Sequence, residues 1–323
     1  MSDGRRVEQH RSDSLLAPRP SPLASRPSSL TPHPSPLVPR LEVSYYPGCS
    51  LHGMAAEYDE SIRAVCESLD ISLAELSDWN CCGASSAHFM DDELAVRLSA
   101  RNMAIAEEAG RELLVPCAAC FQRLKHADKE LKEDAPRWIG EPYQGKTAIH
   151  HVNDFFDRPE LVAAIKRKVV KPLKGLAGVA YYGCLSQRPP KVTDAERPEN
   201  PVAMDDLMRL IGMEARPWSY KTDCCGASLT LTRTDVVHKL SGHLFEAAVE
   251  AGAECLVTDC PLCQSNLDTR QGEIGAERGT RFDLPVFYVT ELMALAFGNG
   301  GTNRWWKKHF VDPAPLLRSK GLL

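Results

Sequence analysis

The sequence predicts an α/β protein made of two homologous halves, each with a mostly parallel sheet flanked by helices. Three observations lead there. Ten of the twelve cysteines write one pattern twice. In both halves short apolar, strand-like runs alternate with stretches of helical periodicity, the mark of βαβ units. An aromatic strand end also recurs, Tyr45-Tyr46-Pro47-Gly48-Cys49 against Tyr181-Tyr182-Gly183-Cys184. The repeat of about 135 residues is far longer than a solenoid unit and points to a duplicated domain. The expected division is a first domain over 41–170, a second over 171–298, and a C-terminal extension over 299–323.

Residues 1–40 stand apart. Eight of the 23 prolines fall there among serine and arginine, without an aromatic residue. Such a segment cannot offset its ordering entropy by burial, so it reads as disordered. Asp3, Glu8, Asp13 and the proline spacing argue against an amphipathic transit peptide, and the first twenty residues hold no apolar run of a signal peptide. The folded pattern begins abruptly at Leu41, so a start assigned too far upstream is a second expectation for this segment.

The elements then follow in order. Glu42–Pro47 reads as a strand ending at Cys49, and Ser61–Leu69 as a helix carrying Cys66. Leu94, Leu98 and Ile105 share a helical face, with Gly110 as the stop. Leu113–Pro116 is a strand leading to Cys117, followed by a helix through Phe121–Leu131. A helix over Glu160–Val170 lies near the joint, and Lys166–Lys174 reads as a solvated helix face. Val179–Tyr182 is the strand before Cys184. Val237, Leu240, Leu244 and Ala248 form one helical face, Leu256–Thr258 a strand, and Gln264–Arg270 a helix. The pair Trp305-Trp306 either caps the core or forms a partner surface.

The cysteine pattern carries the chemistry. The first set is Cys49, Cys81, Cys82, Cys117 and Cys120; the second is Cys184, Cys224, Cys225, Cys260 and Cys263. In both, an adjacent Cys-Cys pair precedes glycine, and 34 residues separate that pair from a C-x-x-C pair. Disulfides suit short secreted domains, whereas a chain of 323 residues with 43% hydrophobic content can bury a core without them. Zinc is the stronger alternative, but structural zinc takes four ligands in a tetrahedron. Here each copy offers five, and adjacent side chains diverge, which suits a polynuclear iron–sulfur group. The spacing differs from the compact ferredoxin run. The glycine after each pair would let the backbone turn tightly beside a cluster. Cysteines at the carboxyl ends of strands sit where open α/β sheets bind ligands. Cys66 and Cys255 fall outside the pattern and read as small buried hydrophobes.

This pattern resembles the cysteine-rich CCG domain of the B-subunit family of heterodisulfide reductases, from Leu41 to about Phe297. The resemblance extends between the motifs, as in Glu254–Cys263 and Lys168-Val169-Val170-Lys171-Pro172-Leu173. It implies two noncubane 4Fe-4S clusters, one on each complete set, with zinc in one site as the alternative. It also implies cleavage or formation of a small disulfide, inside a complex with a ferredoxin-like iron–sulfur subunit and a flavin-containing subunit. The rival it leaves open is a non-catalytic electron-transfer subunit of a lactate or glycolate oxidase-like or succinate:quinone reductase-like complex. His52 and His88, close to the cysteines, are candidates for moving a proton or orienting a carboxylate. Arg188 is a candidate for pairing an anionic substrate. His150-His151 read as packing or surface residues at the joint. The net charge of −5 and the lack of a basic cluster argue against nucleic acid. No apolar run spans a membrane, and the expected location is the cytoplasm.

Overall fold

A computed structural model of the chain describes residues 41–84, 86–299 and 302–323. Both expectations for residues 1–40 lie outside the described residues. Among the described residues, eight strands form two four-stranded sheets. In the first half β1 (Leu41–Tyr45), β2 (Ile71–Glu75), β3 (Leu113–Leu114) and β4 (Ile149–His150) run in the order β2-β1-β3-β4. In the second, β5 (Ala177–Tyr181), β6 (Glu214–Ala215), β7 (Cys255–Thr258) and β8 (Val286–Tyr288) repeat it as β6-β5-β7-β8. Every strand pair is parallel. The expected sheets are therefore present, and they are wholly rather than mostly parallel.

Burial explains which strands form the centre. Every residue of β5 and β7 is buried, as parallel strands covered on both faces require. The chain crosses to one side of β1 for β2 and to the other for β3, leaving a crevice at their carboxyl ends. The flanking strands had no clear signal: β4 and β6 are two residues long, and Glu214 faces solvent.

One helical face differs from the expectation. The helix Asp92–Ala109 starts on the Asp91 carboxylate, which accepts from Leu94 N–H at 2.9 Å, and stops at Gly110 with φ 67° as expected. Its inward residues are Ala95, Ser99, Ala100, Asn102, Met103 and Ala106, whereas Leu94 is 43% exposed. Small side chains let this helix lie close along the helix Ala118–Ile139, and the inward polar groups have partners described below. A count of large apolar residues misses such a face.

One core runs through both halves. Leu51, Tyr58 and Phe155 share it with Leu207, Tyr288 and Leu292, and the helix Val289–Ala296 packs on the helix Ala56–Ser68. The two tryptophans cap this core: Trp305 donates to Glu60 at 2.8 Å, and Trp306 meets Phe287 edge-on at 5.5 Å. The basic stretch is solvated only in part. The helix Pro159–Lys168 ends before Lys171, whose ammonium donates to the Leu322 carbonyl at 2.7 Å. Cys66 and Cys255 are buried, as expected.

Candidate metal centre

The cysteines gather at the crevice that the topology creates. Cys49 opens the short helix after β1, Cys81 and Cys82 lie in the loop after β2, and Cys117 and Cys120 begin the helix after β3. The second set repeats this after β5, β6 and β7. The Cys82 and Cys120 sulfurs are 3.3 Å apart and those of Cys225 and Cys263 are 3.7 Å apart. Cys81 meets Cys49, Cys224 meets Cys184, and the members of each C-x-x-C pair meet one another. All ten cysteines of the repeat are thus brought into two groups. The groups also lie near each other: the Cys117 and Cys260 thiols shift one another's pKa, and the Tyr58 hydroxyl reaches the carbonyls of both preceding residues, Pro116 and Asp259. Cys49, Cys81 and Cys224 are exposed, while both C-x-x-C pairs are buried. Each group therefore has an open outer side and a closed inner side facing the other group.

Glycine and two serines shape the loops. Gly83 and Gly226 adopt φ 75° and 82°, and each donates its N–H to the first sulfur of the preceding pair, at 3.4 and 3.3 Å. A Cβ at Gly83 would sit 2.8 Å from that of Ala87. Just before the first cysteine of each set, Gly48 and Gly183 have φ 67°, and a Cβ there would lie 3.0 Å from the Cys120 sulfur or 3.1 Å from that of Cys263. Only glycine accommodates both the backbone and the sulfur. Ser99 donates to the Cys82 carbonyl at 3.2 Å, and Ser241 donates to the Cys225 carbonyl at 3.0 Å. Asn102 and Asn80 brace the first loop, and Asn266 donates to the Cys225 carbonyl.

The thiols strongly perturb one another. Contacts with Cys49 and Cys82, helped by the Gly83 N–H, hold Cys81 down at about 2. Contact with Cys184 and the Gly226 N–H bring Cys224 to about 6. Their partners move the other way: the Cys81 contact and then burial raise Cys49, and Cys224 does the same to Cys184. Such a group cannot ionise fully in its own field, and a positively charged metal group is what would stabilise five thiolates together. Among the described residues no three His, Cys, Asp or Glu side chains converge on a point as one ion requires. Five sulfurs strung out in pairs fit a polynuclear cluster better than a zinc ion.

The other candidates have different surroundings. His52 pairs with Glu75 at 3.0 Å and lies edge-on to Trp79, half exposed. His88 lies against Phe89, near the Gly83 backbone and Arg123, and burial followed by the Arg123 charge lowers its pKa. Arg188 pairs with Glu199 and donates to Thr222 at 2.9 Å, so its guanidinium is engaged within the chain. Three further groups carried no motif. Arg123, one turn after Cys120, faces the charge of Cys82. Lys221 is buried against Asp205, beneath the loop to Cys184. His151 is buried with both ring nitrogens bonded, to Asp259 and to the Pro116 carbonyl, each at 3.1 Å. His151 is thus buried at the joint of the two halves. The adjacent His150 pairs with Glu112 at 3.1 Å.

Comparison with known proteins extends these observations. The cysteine-rich CCG domain matches residues 43–125 and again 179–268. The chain is 31% identical over 282 residues to the 8-methylmenaquinol:fumarate reductase membrane anchor subunit of Wolinella succinogenes, covering 85% of this chain and 99% of that one. It is 26% identical over 269 residues to the B-subunit of the ferredoxin:CoB-CoM heterodisulfide reductase of Methanosarcina mazei, covering 80% and 89%. A protein of Archaeoglobus profundus described as like the heterodisulfide reductase B-subunit matches at 26% over 265 residues, covering 78% of this chain and 89% of that one. In fold, a hypothetical protein from Helicobacter pylori superposes with TM-score 0.64 at 11% identity, over 85% of this chain and 52% of that one.

Proposed function

Because this chain belongs to the cysteine-rich CCG domain family and carries the domain twice, we propose that it is the catalytic iron–sulfur subunit of a heterodisulfide reductase-like complex. Cys49, Cys81, Cys82, Cys117 and Cys120 would hold one noncubane 4Fe-4S cluster. Cys184, Cys224, Cys225, Cys260 and Cys263 would hold the other. Such clusters exchange single electrons and offer iron to a thiolate. The substrate is a small disulfide, or the two thiols that form one. Reductive cleavage consumes two electrons and two protons and releases two thiols, so two sites in one chain match the count.

The observation that carries this reading is that the two cysteine groups lie side by side, the residues before their C-x-x-C pairs, Pro116 and Asp259, sharing Tyr58 and His151 as partners. The chain's own residues have plain tasks. Gly83 and Gly226 stabilise thiolate at Cys81 and Cys224 with their N–H groups, on the open side. His88, with its lowered pKa, is uncharged at neutral pH and suited to relaying a proton beside the first site. Electrons enter from partners, a ferredoxin-like subunit and a flavin-containing subunit, on the cytoplasmic side. Among the described residues no helix is long and apolar enough to cross a membrane.

A second reading is favoured by one observation: the fumarate reductase subunit matches at the higher identity, over nearly its whole length. In that reading the chain relays electrons and transforms no thiol. Electron paramagnetic resonance of the oxygen-free protein during disulfide titration separates them. A catalytic site gives a signal that changes with added disulfide or thiol. A relay titrates only with potential.

A further inference from the structure

The residues immediately before the two C-x-x-C pairs, Pro116 and Asp259, are tied together by two side chains of the first half. His151 follows β4 directly and is almost fully buried. Its Nε2 faces the Pro116 carbonyl at 3.1 Å, and its Nδ1 faces the Asp259 carboxylate at 3.1 Å. Both partners offer acceptor oxygens, and the ring bridges them through its two nitrogens. Asn153 donates to the same carboxylate oxygen. Tyr58 adds a second tie: its hydroxyl donates to the Asp259 carbonyl at 2.8 Å and lies 3.5 Å from that of Pro116.

These ties span the place where the two cysteine groups meet. Pro116 and Asp259 immediately precede Cys117 and Cys260, so the ties fix the backbones from which those two thiols extend. The cores interlock there as well, with Ala118 packed into the second-half core and Leu262 against both. The device is not symmetric. The registers that pair Leu113 with Ile149 and Leu256 with Val286 make Tyr288 the counterpart of His151. A two-sided bridge of this kind therefore stands in the first half alone.

We propose that His151, clamped between the Pro116 carbonyl and the Asp259 carboxylate, is a positioning residue that fixes the approach of the Cys117 and Cys260 backbones and thereby sets the electronic coupling between the two metal sites. This rests on the cluster reading of those sites. The clamp holds the two backbones at which the groups approach each other.

The test uses the full chain purified without oxygen, as wild type, His151→Gln and Asp259→Asn. Iron content, melting temperature, the potentials of both sites and their mutual magnetic splitting are measured on each. The expected result is full iron in all three, with the splitting lost and the two potentials shifted in both variants. A lower melting temperature with unchanged splitting and potentials would overturn the inference and leave His151 a structural residue. Asp259→Asn is nearly isosteric and keeps the question answerable if His151→Gln does not fold. Wild-type protein without iron would overturn this inference together with the reading beneath it.

Discussion

Replacing Lys221 by methionine tests how the second cysteine loop is held. The Lys221 ammonium is 8% exposed and donates at 2.9 Å to the Pro201 carbonyl and to both oxygens of Asp205, itself 2% exposed. Asp205 also accepts from the Tyr182 hydroxyl at 2.8 Å, and the Lys221 carbonyl accepts from Tyr182 and Gly183 N–H. Lys221→Met strands a buried carboxylate, and removing one partner of a buried pair costs about 3–5 kcal/mol. At roughly 2–4 °C per kcal/mol for a chain of this size, the melting temperature falls by on the order of 10 °C. The loop to Cys184 loosens with it, so iron is lost faster to a chelator. Adding Asp205→Asn removes the stranded charge but keeps an acceptor for Tyr182, and recovers about half of the loss. Scanning calorimetry and chelator kinetics on the three proteins supply the numbers. A double variant no better than Lys221→Met would refute the reasoning, since the buried charge would then not be the cause.

Other perturbations have defined outcomes. His309 is buried on Glu291; burial alone would lower its pKa, but the Glu291 charge and hydrogen bond hold it up at about 9. A raised pKa stabilises fully below the unfolded value of about 6.5 and is lost as pH rises through the folded one, at most about 3 kcal/mol between them. Melting curves from pH 6 to 10 should show that decline, and His309→Gln should flatten it. Ser99→Ala and Ser241→Ala each remove a buried hydrogen bond to a cysteine carbonyl and should cost about 1 kcal/mol, with faster iron loss from the affected site alone. Cys66→Ala and Cys255→Ala should leave iron unchanged, whereas Cys225→Ala should remove about half of it by elemental analysis.

What the sequence made legible follows from how each feature is encoded. The duplicated cysteines and aromatic strand ends made the two cysteine groups legible, because each motif follows the same strand of its half. The central strands β3, β5 and β7 were legible since strands buried on both faces are mostly apolar, whereas β1, with Glu42 exposed, was legible from its aromatic end. Edge pieces such as Glu214–Ala215 were not, because two residues carry no periodicity. The inward face of Asp92–Ala109 was misread, because Ser99 and Asn102 are buried to hold a loop rather than to fill a core. The spacing did hold a clue, since Ser99 and Ser241 follow their Cys-Cys pairs at nearly equal distances. His151 and Asp259 belong to opposite halves of the chain, and Asn153 meets Asp259 across 106 residues, so no local pattern announces such a meeting.

The most direct test of the central claim is iron, acid-labile sulfide and zinc per chain on protein purified without oxygen, with its absorption spectrum. The account predicts about eight irons, about eight sulfides and a brown protein, falling by half in Cys225→Ala. About one zinc per five-cysteine set and a colourless protein would contradict it and leave a metal-stapled scaffold.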